Sequence, residues 1–137
     1  MPIELYWDND EQTVMLCEFP KKWSWNEMYA MLEKVKQVTD RADREIAAIL
    51  DLRQGVSIPG GLFSPSTFDH AKKMLKMGEG GSGDVVVVGA GAIIRTIYNA
   101  VRNIDPNAVS SVHFADSLEQ ARAILRERHH VYAPTPV

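Results

Sequence analysis

The residues best suited to chemistry lie between Asp51 and Asp69. Arg53 opens a loop carrying Gly55, Pro59, Gly60 and Gly61, which leads to Ser64, Pro65, Ser66 and Thr67. Proline is accommodated in a first helical turn, where its missing N–H costs nothing. The spacing therefore predicts a helix from Ser64, with Phe68, Ala71, Met74 and Leu75 facing inward and Lys72, Lys73 and Lys76 outward. A helix start presents free N–H groups and the positive end of the dipole, which suits an anion and tolerates phosphorylation. The simpler role for the same hydroxyls is to cap the helix. The loop from Gln54 to Phe63 exceeds the roughly 2 to 6 residues that usually join a strand to a helix, and excess length of that kind often carries function.

Other chemistry-bearing residues form weaker patterns. Gly89 and Gly91 follow an apolar strand and precede a helix, as in the start of a dinucleotide fingerprint, but Ile94 occupies the third small-residue position and the unit comes late in the chain. A structural strand-to-helix turn is the better expectation, and no cofactor is expected. His70, His113, His129 and His130 show no ligand spacing, and neighbours on a helix point about 100° apart, so no metal site is expected. Cys17 lies within an apolar strand, the setting of a buried, inert thiol. Trp7, Trp23 and Trp25 fit core and hairpin packing better than a ligand platform. No nucleophile, base and orienting group can be paired, so the chain is expected not to be an enzyme.

The elements that must position these residues follow from periodicity. Val85 to Val88 leave no polar face, which predicts an interior strand covered on both sides. The helix after it places Ile94, Ile97, Tyr98, Val101 and Ile104 on one side and Arg95, Asn99 and Arg102 on the other. Ile3 to Trp7 alternates as a half-wet strand near an edge; Asp8 to Gln12 reads as a hairpin turn, and Thr13 to Phe19 as the partner strand. Ser24 and Glu27 form a capping-box pattern for a helix with Trp25, Met28, Leu32 and Val35 as its apolar stripe. Ile46 to Leu50 is a second interior strand, running out through Asp51, Leu52 and Arg53. Ala108 to Phe114 is a last strand. Ser117 and Gln120 repeat the box before a final helix with Leu118, Ala121, Ile124 and Leu125, which gives way to a polar tail from Arg126. The expected fold is α/β, a mixed sheet of about five strands with about four helices and at least two right-handed parallel crossovers.

Length and charge exclude several classes. A chain of 137 residues can bury roughly two-thirds of its unfolded surface without disulfides or metals. The reading is one domain over residues 1–128 with a tail over 129–137. A formal charge of −3 provides no basic footprint, so no nucleic-acid partner is expected. No apolar run approaches the ~20 residues of a membrane span and no signal segment opens the chain, so a cytoplasmic location without a transmembrane segment is expected.

The opening hairpin, the helix after Trp23, the strand Ile46 to Arg53, the loop to Ser64, the segment Val85 to Gly89 and the closing run Asp116, Ser117, Leu118, Glu119, Gln120, Ala121 together resemble the STAS domain of anti-sigma-factor antagonists, in its divergent STAS-like branch. The resemblance implies a regulatory or protein-interaction module. In the family, the strand matching Ile46 to Leu52 leads to an aspartate followed by a phosphorylatable serine or threonine that a partner kinase reads. Here Pro59, Gly60 and Gly61 stand at that motif; Ser57, Ser64 and Ser66 lie close enough to substitute, with Ser57 and Ser64 the candidate phosphoacceptors. The expected ligand- or partner-binding residues are Arg53, Ser57, Gly60, Gly61, Ser64, Ser66, Gly89 and Gly91. The fold is also similar to that of SEC14-type lipid-binding domains, which implies as an alternative a small-molecule, nucleotide or lipid-like ligand at the rim where Gln54 to Phe63, Gly89 to Ala92 and Asp116 converge. Helices in STAS-like folds pack largely on one sheet face, whereas both interior strands here are apolar on both faces. The expectation is that one helix crosses to the second face or that a second copy covers it, giving a homodimer with a standard-sized interface.

Overall fold

The computed structural model describes residues 3–9, 12–41, 46–54, 69–70, 84–89, 91–104, 106 and 112–129. Five strands form one sheet: β1 (Glu4–Trp7), β2 (Val14–Glu18), β3 (Ala47–Asp51), β4 (Val85–Val88) and β5 (Val112–Ala115). They stand in sequence order, β1 antiparallel to β2 and every later neighbour parallel. Three helices are described: α1 (Trp25–Arg41), α2 (Gly91–Ile104) and α3 (Leu118–His129). The helix expected from Ser64 falls outside the described residues except for Asp69 and His70, both of which are helical.

Local chemistry accounts for the element ends. In the hairpin the Asn9 carboxamide oxygen accepts from the N–H groups of Thr13 (2.9 Å) and Val14 (3.2 Å), and Gln12 takes φ +56°, so a side chain supplies turn bonds that the backbone alone does not. Ser24 Oγ accepts from Glu27 N–H at 3.1 Å, a cap whose removal costs about 1 kcal/mol. At α3, Ser117 Oγ accepts from Gln120 N–H (3.1 Å) while the Gln120 side chain returns to Asp116 N–H (2.7 Å). This box closes one residue earlier than the usual pattern, on Asp116 rather than on the cap itself. Helix α3 also runs to His129, past the expected boundary at Arg126, because Arg126 and Glu127 are good helix formers.

The sheet separates two cores. On one face Cys17, Phe19, Leu52 and Val87 pack with Met28 and Met31 of α1, bordered by Leu50, Val85, Val112 and Phe114. Tyr98 of α2 meets Phe114 edge-on at 5.0 Å on the same side, with the Arg95 guanidinium over that ring. On the other face Val14, Leu16, Ala47, Ile49, Val86, Val88 and Ala115 pack with Ala121 and Leu125 of α3. Same-handed crossovers between consecutive parallel neighbours put their helices on one face. The helix after the last strand has no further strand to reach and returns over the other. One helix therefore covers the second face of the interior strands, as one branch of the sequence argument required.

Candidate functional site

The carboxyl ends of the parallel strands meet at one rim. Phe19 N–H donates to Asp51 O (3.0 Å), Leu52 N–H to Val88 O (2.9 Å) and Gly89 N–H to Ala115 O (3.2 Å), so the three strand exits are laced together. In β3 side chains alternate, so Asp51 falls on the α3 side with Ala47 and Ile49, and Arg53 follows in the turn beyond the strand. Arg53 folds back on Asp51 in a two-pronged pair, Nε to Oδ1 and Nη2 to Oδ2, both 2.9 Å, and its own N–H donates to Oδ1 at 3.0 Å. The carboxylate side chain is 9% exposed and the guanidinium side chain 50%. A buried anchor thus holds a half-exposed cation in one orientation, with donors left over for an external acceptor. Burial pushes the Asp51 pKa upward, but the side-chain and backbone hydrogen bonds and the charge of Arg53 outweigh it and hold the carboxyl below its usual range.

Gly89 completes the rim. It has φ +75°, and a β-carbon there would lie 3.1 Å from both Cα and Cγ of Arg53. Glycine is needed for both reasons, conformation and proximity. Gly91 is the first residue of α2. Arg53, Gly89 and Gly91 therefore flank the ends of adjacent strands, as expected, whereas Ser57, Gly60, Gly61, Ser64 and Ser66 lie outside the described residues.

Beyond β2 an aromatic chain runs toward α1. Phe19 meets Trp23 edge-on (5.7 Å), Trp23 meets Trp25 edge-on (5.1 Å), Trp25 stacks on His70 (4.6 Å), and the Tyr29 hydroxyl hydrogen-bonds His70 Nδ1. Trp23 and Trp25 thus serve packing, as expected, yet the role of His70 as the stacking partner of Trp25 left no mark in the sequence. Two buried polar atoms in this region, Trp23 Nε1 and Glu27 Oε2, have no hydrogen-bond partner among the described residues. Cys17 is fully buried, and burial pushes its thiol up to about 12, so it is no nucleophile.

Two further ionic contacts were missed by sequence reasoning. Arg122 of α3 grips Asp8 in the hairpin through Nε to Oδ2 (2.9 Å) and Nη2 to Oδ1 (2.8 Å), with the Asp8 side chain only 4% exposed. His113 Nε2 lies 3.2 Å from Asp84 Oδ1, near enough for an ion pair but not aligned for a hydrogen bond. The Asp51–Arg53 pair is local, closed by a turn just past the end of β3, and it too was missed. The other two join segments distant in sequence and had no legible signal. Among the described residues no group of three or more His, Cys, Asp or Glu side chains is arranged to hold a metal ion, and no helix is long and apolar enough to cross a membrane.

A scan against protein-family models finds no match, and a search of curated proteins finds none either.

Proposed function

We propose that this chain is a non-enzymatic, STAS-like regulatory domain that binds a protein partner through the rim at the ends of β3 and β4, including the loop 53–63 and the start of the following helix. The observation that carries the reading is the clamped Arg53: a guanidinium fixed by a nearly buried carboxylate, on a residue whose backbone packs closely against Gly89, yet half open to solvent. A preorganised cation of this kind loses little freedom on binding and suits a carboxylate or phosphate on the partner. Ser57 and Ser64 are the candidate phosphoacceptors of such a module. The test is quantitative crosslinking and affinity purification from the native host with wild type, Arg53→Lys and Arg53→Glu. A specific partner set retained by wild type, weakened by lysine and lost with glutamate supports the reading. A partner set indifferent to all three overturns the assignment of the rim.

The second reading is a small-molecule sensor with a nucleotide or lipid-like ligand. It is favoured by Trp23 Nε1 and Glu27 Oε2, a buried donor and acceptor at the start of α1 without a hydrogen-bond partner among the described residues. Native mass spectrometry of gently purified protein separates the two. A reproducible added mass lost on denaturation favours the sensor, and bare protein favours the interaction module.

A further inference from the structure

The two edges of the sheet are unlike. Strand β5 has no exposed residue, whereas in β1 Glu4, Tyr6 and Trp7 are all exposed, Tyr6 at 45% and Trp7 at 36%. Exposed edges are usually blunted with lysine, proline or a bulge, because their unpaired N–H and C=O groups are a template for another strand. Glu4 to Trp7 contains neither lysine nor proline.

The backbone parity of this edge is fixed. Just past the end of β1, Asp8 N–H donates to Val14 O at 2.8 Å, so position 8 opposite 14 has the parity of a hydrogen-bonded pair. Such pairs alternate along an antiparallel ladder, and in the observed register Tyr6 with Leu16 and Glu4 with Glu18 are the next two. The N–H and C=O groups of Ile3, Leu5 and Trp7 therefore point away from β2, toward an edge that no strand among the described residues covers.

We propose that β1 is a self-complementary edge at which two copies of this chain pair antiparallel about a twofold axis through Leu5, joining their sheets into one of ten strands. In that register Leu5 faces the partner's Leu5 and Ile3 faces the partner's Trp7, both at positions whose backbone groups point outward. Glu4 faces the partner's Tyr6 across a non-hydrogen-bonded position, where side chains are closest. Those two side chains already hydrogen-bond within one chain, Tyr6 hydroxyl to Glu4 carboxylate, so their chemistry is matched. The registers of the same parity on either side are poorer: centred on Glu4, two exposed glutamates stand face to face, and centred on Tyr6, Glu4 meets the partner's Asp8, whose buried carboxylate is already held by Arg122. Side-chain charge thus selects between the registers that backbone parity allows. A four-residue edge buries less than the ~1,200 to 2,000 Å² of a standard interface, so the dimer is expected to dissociate in the micromolar range rather than to be permanent. This inference does not rest on the rim reading, since its test concerns β1 alone.

Two measurements on the intact chain test it. In wild type, amide hydrogen exchange at Leu5 and Trp7 is followed between about 10 µM and 1 mM alongside sedimentation velocity. Exchange at both amides is expected to slow as the dimer fills, while Tyr6 and Asp8, bonded to β2 throughout, change little. Fast exchange at Leu5 and Trp7 at every concentration, or a dimer in sedimentation without that pattern, overturns the proposal. Register is read by Leu5→Lys and Leu5→Glu, each expected to be monomeric alone and to form a mixed dimer together, because only a twofold through this position sets residue 5 against itself. A mixture that stays monomeric while wild type dimerises overturns the register. The exchange experiment needs no substitution, so it decides the edge even where a charged residue at position 5 impairs folding.

Discussion

Gly89 approaches Arg53 so closely that a β-carbon on it would stand 3.1 Å from the Arg53 α-carbon and 3.2 Å from its nitrogen. Backbone is met here, not merely the flexible end of a side chain, and Gly89 also holds φ +75°. Gly89→Ala is therefore expected to destabilise the fold by about 1 to 3 kcal/mol, through both the left-handed conformation and the displaced neighbour. Urea unfolding measures this. A midpoint shift below what about 0.5 kcal/mol produces would show that the β3 exit moves aside freely.

Asp51 titrates below the ordinary carboxylate range because the hydrogen bonds and charge of Arg53 outweigh its burial. Its native pKa is the lower one, so on acidification the unfolded chain takes up the proton first. The contribution is complete above about pH 4 and is lost as pH falls through the native value. With Arg53 half exposed, it is expected to be no more than about 1 kcal/mol. Asp51→Asn should flatten the acid limb of stability against pH, and an unchanged limb would contradict the pairing.

Asp8 is buried to 4% side-chain exposure and held by two hydrogen bonds from Arg122. Removing the cation leaves a desolvated carboxylate, so Arg122→Met is expected to cost about 2 to 4 kcal/mol. Adding Asp8→Asn should recover part of that loss, because the buried charge disappears with it. A double-mutant cycle in thermal unfolding reads the coupling, and strict additivity of the two changes would mean the pair holds nothing together.

Cys17 has a native pKa raised by burial from 9.0 to about 12. The thiol must stay neutral in the fold, whereas in the unfolded chain it ionises near its ordinary value. Stability is thus expected to decline by about 1.4 kcal/mol per pH unit above roughly pH 9, a slope that Cys17→Ala should remove. Native protein should also resist thiol reagents at pH 8, reacting only at the rate of opening. Immediate stoichiometric labelling would show that β2 is accessible.

The amino-acid sequence by itself determined the elements whose physics is local. Four adjacent valines from Val85 to Val88 allow only a doubly covered strand, Ser24 and Ser117 mark helix starts, and the alternation from Ile3 to Trp7 marks a half-wet edge. The Asp51–Arg53 pair was not read from the sequence, because it depends on the turn that Arg53 takes just past the end of β3. The capping box at Ser117 was legible in kind but not in detail, because its closure on Asp116 depends on how the chain leaves β5.

Tertiary structure decided what depends on distant segments becoming neighbours. No periodicity in α3 says which sheet face it will cover; that follows from the preceding crossovers having filled the other face, so that Val86, Val88 and Ile49 were left for Ala121 and Leu125. The grip of Arg122 on Asp8 spans 114 residues, and the stacking of Trp25 on His70 joins α1 to a segment well beyond β3. Local rules fix how each segment can be arranged; the closing of the sheet fixes which segments meet, and side chains acquire partners only after that choice is made.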